Sequence, residues 1–253
     1  MSNTLSYRCG SLENPSLPFE RIAACGVQGL EVNWSEKLSA AAAEAALSPH
    51  GLRVTSLSTG CDITNGNLPA EIGERAALAS DLGANYLFVS AQRGELDFDE
   101  AARRLQALGD AAGKSKVCLA METHPDLCTN AETMLKTMAV VDHPWVAINY
   151  DTANVYYYNE GIDTIDQVRQ VAKFVKGVHF KDTGGGFRDF DFPVFGEGIV
   201  DFAAVDEELT EAGYDDAYCM ELEGPAFKRD EPNDLANKVT RCADHLRAVG
   251  AID

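Results

Sequence analysis

Basic residues are scarce in this sequence. Of its 253 residues, 21 are Lys or Arg and 40 are Asp or Glu, a formal net charge of −19. Nucleic-acid binding draws most of its affinity from Lys and Arg contacts to phosphate, and no basic stripe offsets the acidic excess, so no nucleic-acid partner is expected. Paired cysteines are missing as well. Cys9, Cys25, Cys61, Cys118, Cys128, Cys219 and Cys242 are odd in number, scattered and never spaced as CxxC. That argues against a disulfide framework and a thiolate zinc site, and leaves them as reduced thiols. No apolar run approaches ~18 residues, so no membrane-spanning helix is expected. The opening Met1-Ser2-Asn3-Thr4-Leu5 lacks the basic start and apolar run of a signal peptide, which makes the cytoplasm the default location. No Pro/Ser-rich linker or composition shift divides the chain, and one domain over residues 1–253 is expected.

What is present is ordinary for a globular protein: 45% apolar and 24% charged residues, enough to bury a large core. Short apolar or β-branched runs alternate with Ala/Leu/Glu-rich stretches of helical period, the βαβα order of a parallel sheet. Strands are predicted at 5–10, 29–34, 53–58, 86–90, 117–123, 146–152, 177–181 and 218–223. Helices are predicted at 39–47, 69–82, 99–113, 129–141, 164–174, 201–212 and 231–249. Eight strands, with helical stretches between them and one closing the chain, imply an α/β fold of the (β/α)8 TIM-barrel type. A doubly wound open sheet is the alternative, but Arg8-Cys9-Gly10-Ser11-Leu12-Glu13 does not supply the GxGxxG turn expected after its first strand.

Glu122, Asp151, His179 and Glu221 fall at the ends of the predicted strands five to eight. The first two intervals are 29 and 28 residues, close to one βα repeat; the last is 42 and contains the irregular segment 183–200, a long loop over the mouth. Neighbouring strands lie ~4.8 Å apart, so the four side chains can converge. Three carboxylates held together stay ionised mainly when a cation lies between them. Three oxygens and one imidazole suit Mn²⁺, Mg²⁺ or Co²⁺ with open positions. Taken singly, each residue reads more simply as an exposed loop acid or a core histidine.

The ordered pieces Leu119-Ala120-Met121-Glu122-Thr123-His124, Asn149-Tyr150-Asp151-Thr152-Ala153-Asn154, Val178-His179-Phe180-Lys181-Asp182, Phe195-Gly196-Glu197-Gly198-Ile199-Val200-Asp201-Phe202 and Met220-Glu221-Leu222-Glu223-Gly224 resemble the xylose isomerase-like TIM-barrel superfamily of sugar isomerases and epimerases. Its relatives similar to tagatose 3-epimerase imply that Glu122, Asp151, His179 and Glu221 bind one divalent ion, with manganese the first choice, and that Glu122 and Glu221 act as acid and base. The chain departs from them at Asn154, where those epimerases carry His, and at Lys181-Asp182, where an Arg follows the metal His. The Lys-Asp pair resembles inosose dehydratase. The resemblance implies isomerisation or epimerisation of a small keto-sugar or hydroxy-ketone through an enediolate, with dehydration of a keto-polyol or a noncatalytic sugar-binding barrel as alternatives. Hydroxypyruvate isomerase relatives fit the same reading. The superfamily's endonuclease branch needs further histidines, and His50, His143 and His245 fall in helix or turn contexts.

Substrate contacts are expected from His124, Asn154, Lys181 and Arg188. Three of them carry a plainer reading or a condition. Lys181 can pair with Glu223, His124 can cap the turn before Pro125, and Arg188 reaches a substrate only if the glycine-rich 183–188 run closes as a lid. Glu31 could reach the pocket rim, though a buried pairing with an Arg or a backbone amide is the simpler expectation. Asp201 should cap the helix that starts at Phe202. Tyr156, Tyr157, Tyr158 and Trp34 can wall a sugar face or pack into a core or subunit contact. The partner is a small carbohydrate, and a homo-oligomer is left open.

Overall fold

Parallel strands covered by helices lose water from both faces, and here nearly every strand residue is buried. The computed structural model describes residues 3–229 and 231–252. Its eight barrel strands are β1 (Leu5–Ser11), β2 (Gly29–Asn33), β3 (Arg53–Ser58), β4 (Tyr86–Val89), β5 (Cys118–Glu122), β6 (Val146–Asp151), β7 (Val175–Phe180) and β8 (Tyr218–Met220). They pair in parallel in chain order, and β1 pairs with β8 from Leu5↔Tyr218 to Tyr7↔Met220, which closes the sheet. Asn14–Pro15 adds a short antiparallel ribbon to the end of β1. The fold is the expected TIM barrel.

The helices are α1 (Phe19–Ala24), α2 (Ala40–Leu47), α3 (Leu68–Asp81), α4 (Phe98–Gly113), α5 (Ala131–Val141), α6 (Asn154–Tyr158), α7 (Thr164–Val171), α8 (Phe202–Glu211) and α9 (Pro232–Ala248). Local caps set several starts. The Asp97 carboxylate accepts the Glu100 N–H at 2.7 Å, and Asp201 accepts that of Ala204 at 3.1 Å. The sequence reading passes over α1 and α6, which at six and five residues are too short for a helical period to register. It also starts β7 late and runs β8 three residues long, because Val175 and Lys176 continue a helical pattern and Glu221 to Glu223 leave the ladder for the mouth.

Alternate strand residues divide between two layers. Leu119, Met121, Ile148, Tyr150, Val178, Phe180 and Met220 join the large apolar cluster shared with the helices. Tyr86, Phe88 and Ala120 form a separate small cluster with Cys118. The barrel interior therefore departs from the Val/Ile/Leu filling usual for the fold. Large rings and charged side chains occupy it, and small residues make room. A Cβ at Gly177 would lie 2.3 Å from Asn149 Oδ1 and 2.8 Å from Tyr86.

The long connection after β7 is tied at its stem by Asp182, whose buried carboxylate accepts four backbone N–H groups. Thr183 and Val200 donate to Oδ1 at 2.9 and 3.2 Å, and Gly196 and Gly198 donate to Oδ2 at 2.9 Å each. No helix among the described residues is long and apolar enough to cross a membrane.

Candidate metal centre

Glu122 ends β5, Asp151 ends β6, His179 lies one residue before the end of β7, and Glu221 directly follows β8. The four are not level, as equal spacing suggests. Asp151 is the register partner of His179, whereas Glu122 is level with Asn149 and His179 with Cys219. Barrel shear produces that stagger and still lets the side chains meet. One donor atom from each lies within 4.8 Å of the others, and all four residues are buried.

Neighbours fix the direction of each donor. Asp151 follows the strand into a tight turn, and its Oδ1 accepts the N–H groups of Ala153 and Asn154 at 2.9 and 2.8 Å. Glu122 takes the Ser90 hydroxyl on Oε2 and the Asn154 amide on Oε1, the latter at 3.1 Å. Arg8 donates to Glu221 Oε1. Asp151 Oδ2, Glu221 Oε2 and His179 Nδ1 are left buried without a hydrogen bond. Lys181 Nζ lies 3.1 Å from Asp151 Oδ2 and 2.6 Å from Glu221 Oε2, in ion-pair range but poorly aligned for donation. Three orphaned donors facing one another, with a third carboxylate beside them, fit a divalent cation held by oxygen and imidazole.

The electrostatics agree. Glu31, Glu122, Asp151 and Glu221 are four buried carboxylates, and Arg8, Lys181 and the imidazole of His179 are the positive or protonatable groups set among them. Burial pushes Asp151 up to about 7 against the pull of Lys181, and burial together with Glu221 raises Glu122. Glu221 goes the other way: burial alone would raise it, but Lys181, His179 and Arg8 hold it well below the usual carboxylate range. Burial opposes a charged imidazole at His179, yet Glu31 and Glu221 on either side raise it well above its ordinary value. A second group, Glu31, His179 and Cys219, shares the imidazole. Burial pushes the Cys219 thiol up to about 11, so the sulfur stays protonated near neutrality.

The other expected residues divide. Asn154 is buried and bridges the centre, donating to Glu122 and accepting from Lys181 Nζ at 3.2 Å. Lys181 touches Asp151, Glu221 and Glu223, the last at 2.7 Å, so its ion pair and its place in the site are one arrangement. His124 contacts Gln92 Nε2 at 2.9 Å and the Pro125 carbonyl at 2.8 Å, the capping reading. Arg188 stacks on its neighbour Phe187 with 5.2 Å to the ring centroid, and among the described residues it makes no contact with the four. Tyr157 packs edge-on against Tyr158 and near Phe192 in an aromatic wall.

Arg8 escaped the sequence reading, although a lone Arg between apolar residues of a buried strand is a visible signal. It lines a cleft of about 350 Å³ with Asn33, Trp34, Ser58, Phe88 and Ser90, beside the carboxylates at the strand C-termini. A larger groove of about 470 Å³ lies at the N-terminal ends of β5 to β7, lined by Cys118, His143 and Lys173. Barrel chemistry belongs to the C-terminal mouth, so the smaller cleft is the relevant one.

Among curated proteins, the chain is 30% identical over 115 residues to L-ribulose-5-phosphate 3-epimerase UlaE of Salmonella paratyphi A, a match covering 45% of this chain and 39% of that protein. The matched part is thus under half of that relative's length. The structure of a xylose isomerase domain protein from Planctomyces limnophilus superposes with a TM-score of 0.81 at 21% identity, over 98% of each chain. The IolI protein with a bound zinc atom gives 0.74 at 18% identity, over 98% of each chain. Residues 19–246 match the xylose isomerase-like TIM barrel family, and with the closed barrel and a carboxylate-histidine cluster at its mouth, the chain belongs to that family.

Proposed function

We propose that the chain is a divalent-metal-dependent isomerase or epimerase of a small keto-sugar or hydroxy-ketone, acting through an enediolate. The observation that carries this reading is the convergence of Glu122, Asp151, His179 and Glu221, with Asp151 Oδ2, Glu221 Oε2 and His179 Nδ1 turned toward one another and met by ion-pair contacts without a hydrogen bond. A bound ion supplies Lewis-acid polarisation of the substrate carbonyl, which makes the adjacent C–H more acidic. Manganese is the first choice and Mg²⁺ or Co²⁺ the alternatives; a structural relative holds zinc. Glu122 and Glu221, on strands five and eight, flank the centre, so one carboxylate removes the proton α to the carbonyl and the other returns it from the opposite side. Asn154 and Lys181 hold Glu122, Asp151 and Glu221 in place, and a substrate oxygen would reach their donors by displacing one of these contacts. His124 and Arg188 stand further out as contacts for larger substrates. Residues 1–253 act as one domain in this reading, with a small carbohydrate partner and a cytoplasmic location. The named activity of the curated relative favours a ketose and proton transfer next to its carbonyl.

The test is solvent deuterium exchange followed by NMR over a panel of ketoses, inososes and hydroxypyruvate, with ion content measured alongside. The protein should hold about one divalent ion per chain and lose it in Asp151→Ala and His179→Ala. Exchange next to the carbonyl should be metal-dependent and fall by roughly 10²–10⁴-fold in metal-loaded Glu122→Gln or Glu221→Gln, the usual worth of a positioned acid or base. Full exchange in both loaded variants removes these residues from the chemistry. An enone or deoxy product in place of a rearranged skeleton moves the assignment to a dehydratase.

A further inference from the structure

We propose that Glu31, acting with Arg8, is a positioning residue for the cation centre: together they set the ring orientation of His179 and turn one oxygen of Glu221 toward the ion. This rests on the ligand assignment above. Glu31 lies in β2, outside the four strands that carry the ligands, and its carboxylate is wholly buried. Ser56 donates to its Oε2 at 2.8 Å. Arg8 Nε stands 3.3 Å from Oε1, and His179 Nε2 stands 3.2 Å from Oε1 and 3.3 Å from Oε2. Both partners also reach Glu221, Arg8 by donating from Nη1 to Oε1 and His179 with Nδ1 3.4 Å from Oε2. Glu31, Arg8, Glu221 and His179 therefore close a ring of four side chains drawn from β2, β1, the end of β8 and β7.

The ring decides which atoms face the centre. An imidazole alone can present either nitrogen, but with Nε2 against Glu31 it is Nδ1 that faces the other carboxylates. Phe88 packs on the imidazole with centroids 4.4 Å apart and restricts its tilt. Glu221, engaged through Oε1 by Arg8, has only Oε2 to turn inward. His179 Nδ1 and Glu221 Oε2, which close the ring at 3.4 Å without a hydrogen bond, are the two ring atoms that face the centre, and an ion held there would take the place of that contact. A barrel core that needed only volume here would be served by an apolar side chain, since burying a carboxylate is unfavourable unless it is well paired. A metal-binding imidazole characteristically gives its second nitrogen to a carboxylate, and that contact tunes the orientation and basicity of the ligand.

Glu31→Gln keeps the shape and removes the charge, and it is tested in the full chain with Co²⁺ alone as probe. Competition against a chromogenic chelator gives the affinity, the visible spectrum of the Co²⁺-loaded protein reports ligand geometry, and melting with and without Co²⁺ separates ion binding from folding. The expected result is a loss of about 10–100-fold in Co²⁺ affinity, an altered spectrum and a smaller Co²⁺-induced rise in melting temperature. Arg8→Lys, which keeps the charge but loses the fork that spans two carboxylates, should fall between variant and parent. If Glu31→Gln does not fold, Arg8→Gln carries the same expectation, its side chain being 30% exposed. Parent affinity and parent spectrum in both Glu31→Gln and Arg8→Gln overturn the proposal. Equal drops in melting temperature with and without Co²⁺, at unchanged affinity, also overturn it and leave the ring a fold element. A parent chain that binds no Co²⁺ refutes the ligand assignment itself and this role with it, a result visible before any variant is compared.

Discussion

Asp182→Asn should release the loop 183–200 while leaving the barrel folded. The wild-type carboxylate offers each of its oxygens to two backbone N–H groups, Thr183 and Val200 on one side and Gly196 and Gly198 on the other. An amide has one acceptor atom, so whichever way it flips, its NH₂ group faces two donors. Hydrogen bonds to a charged group contribute about 1.5–3 kcal/mol each, and two are lost. Gly196 is exposed and Gly198 half-buried, so water can reach the freed donors there and lowers the net cost to about 2–4 kcal/mol. At ~1.36 kcal/mol per decade this is roughly a 30- to 1,000-fold rise in loop opening. Amide hydrogen exchange over residues 194–200 reads it directly, with the strands β4 to β6 as internal control. The loop also carries Phe192, whose ring centroid is 4.8 Å from Lys181 Nζ, so kcat/KM should fall while ion content stays at the parent level. Exchange at Gly196 and Gly198 within threefold of the parent would refute the clasp.

Acidification should weaken ion binding. Burial pushes the Asp151 carboxyl up to about 7, so below that value a proton occupies the group and competes with the ion, and above it Asp151 no longer contributes to that competition. Each displaced proton makes the affinity fall by about tenfold per pH unit below that point. Titration calorimetry at two pH values and in buffers of different ionisation enthalpy checks both the slope and the proton release, and a pH-independent affinity sinks the assignment of Asp151. Lys181→Met should act with opposite sense in the two forms of the protein. It removes the cation between two buried carboxylates, at a cost of about 3–5 kcal/mol in the chelator-treated protein, whereas a divalent ion supplies that charge in the loaded one. The ion-induced rise in melting temperature should therefore be larger in Lys181→Met than in the parent, and an equal or smaller rise defeats the argument.

The barrel was readable because its signal is local and repeated. Each of the eight apolar runs is followed by a turn and a helical period, and repetition outweighs errors of a few residues at any boundary, such as the shortened β8. The same repetition made Glu122, Asp151 and His179 stand out, since chemically distinctive residues recur one βα unit apart. Arg8 and Glu31 carried a weaker signal: each is a single charge inside a short buried run, Tyr7-Arg8-Cys9 and Leu30-Glu31-Val32. What the sequence could not supply was their partners. Arg8 meets Glu221 across 213 positions of chain because β1 closes on β8, a pairing decided by the geometry of the whole barrel. Lys181 was ambiguous for a related reason. Its pairing with Glu223 and its place among the site carboxylates looked like rivals, and a side chain long enough to touch Asp151, Glu221 and Glu223 together makes them one.

The mouth is thus divided between two halves of the barrel. Strands β5 to β8 bring three acids and an imidazole out of water, and burial, with the Glu221 charge adding to it, raises Glu122 and Asp151. The N-terminal strands bring the restraints: Arg8 from β1, Glu31 from β2, Ser56 from β3 and Ser90 just past β4, each bonded directly or through one partner to a residue of the cluster. Lys181 links the two roles. Its ammonium lies against the same Asp151 and Glu221 oxygens that a divalent ion would use, and it also reaches Glu223 and Asn154 Oδ1, the direction in which it can withdraw without losing its charge partners. In the proposed ligand assignment an arriving ion would replace the Lys181 ammonium at these oxygens, so the carboxylates would keep a cation beside them with and without the ion.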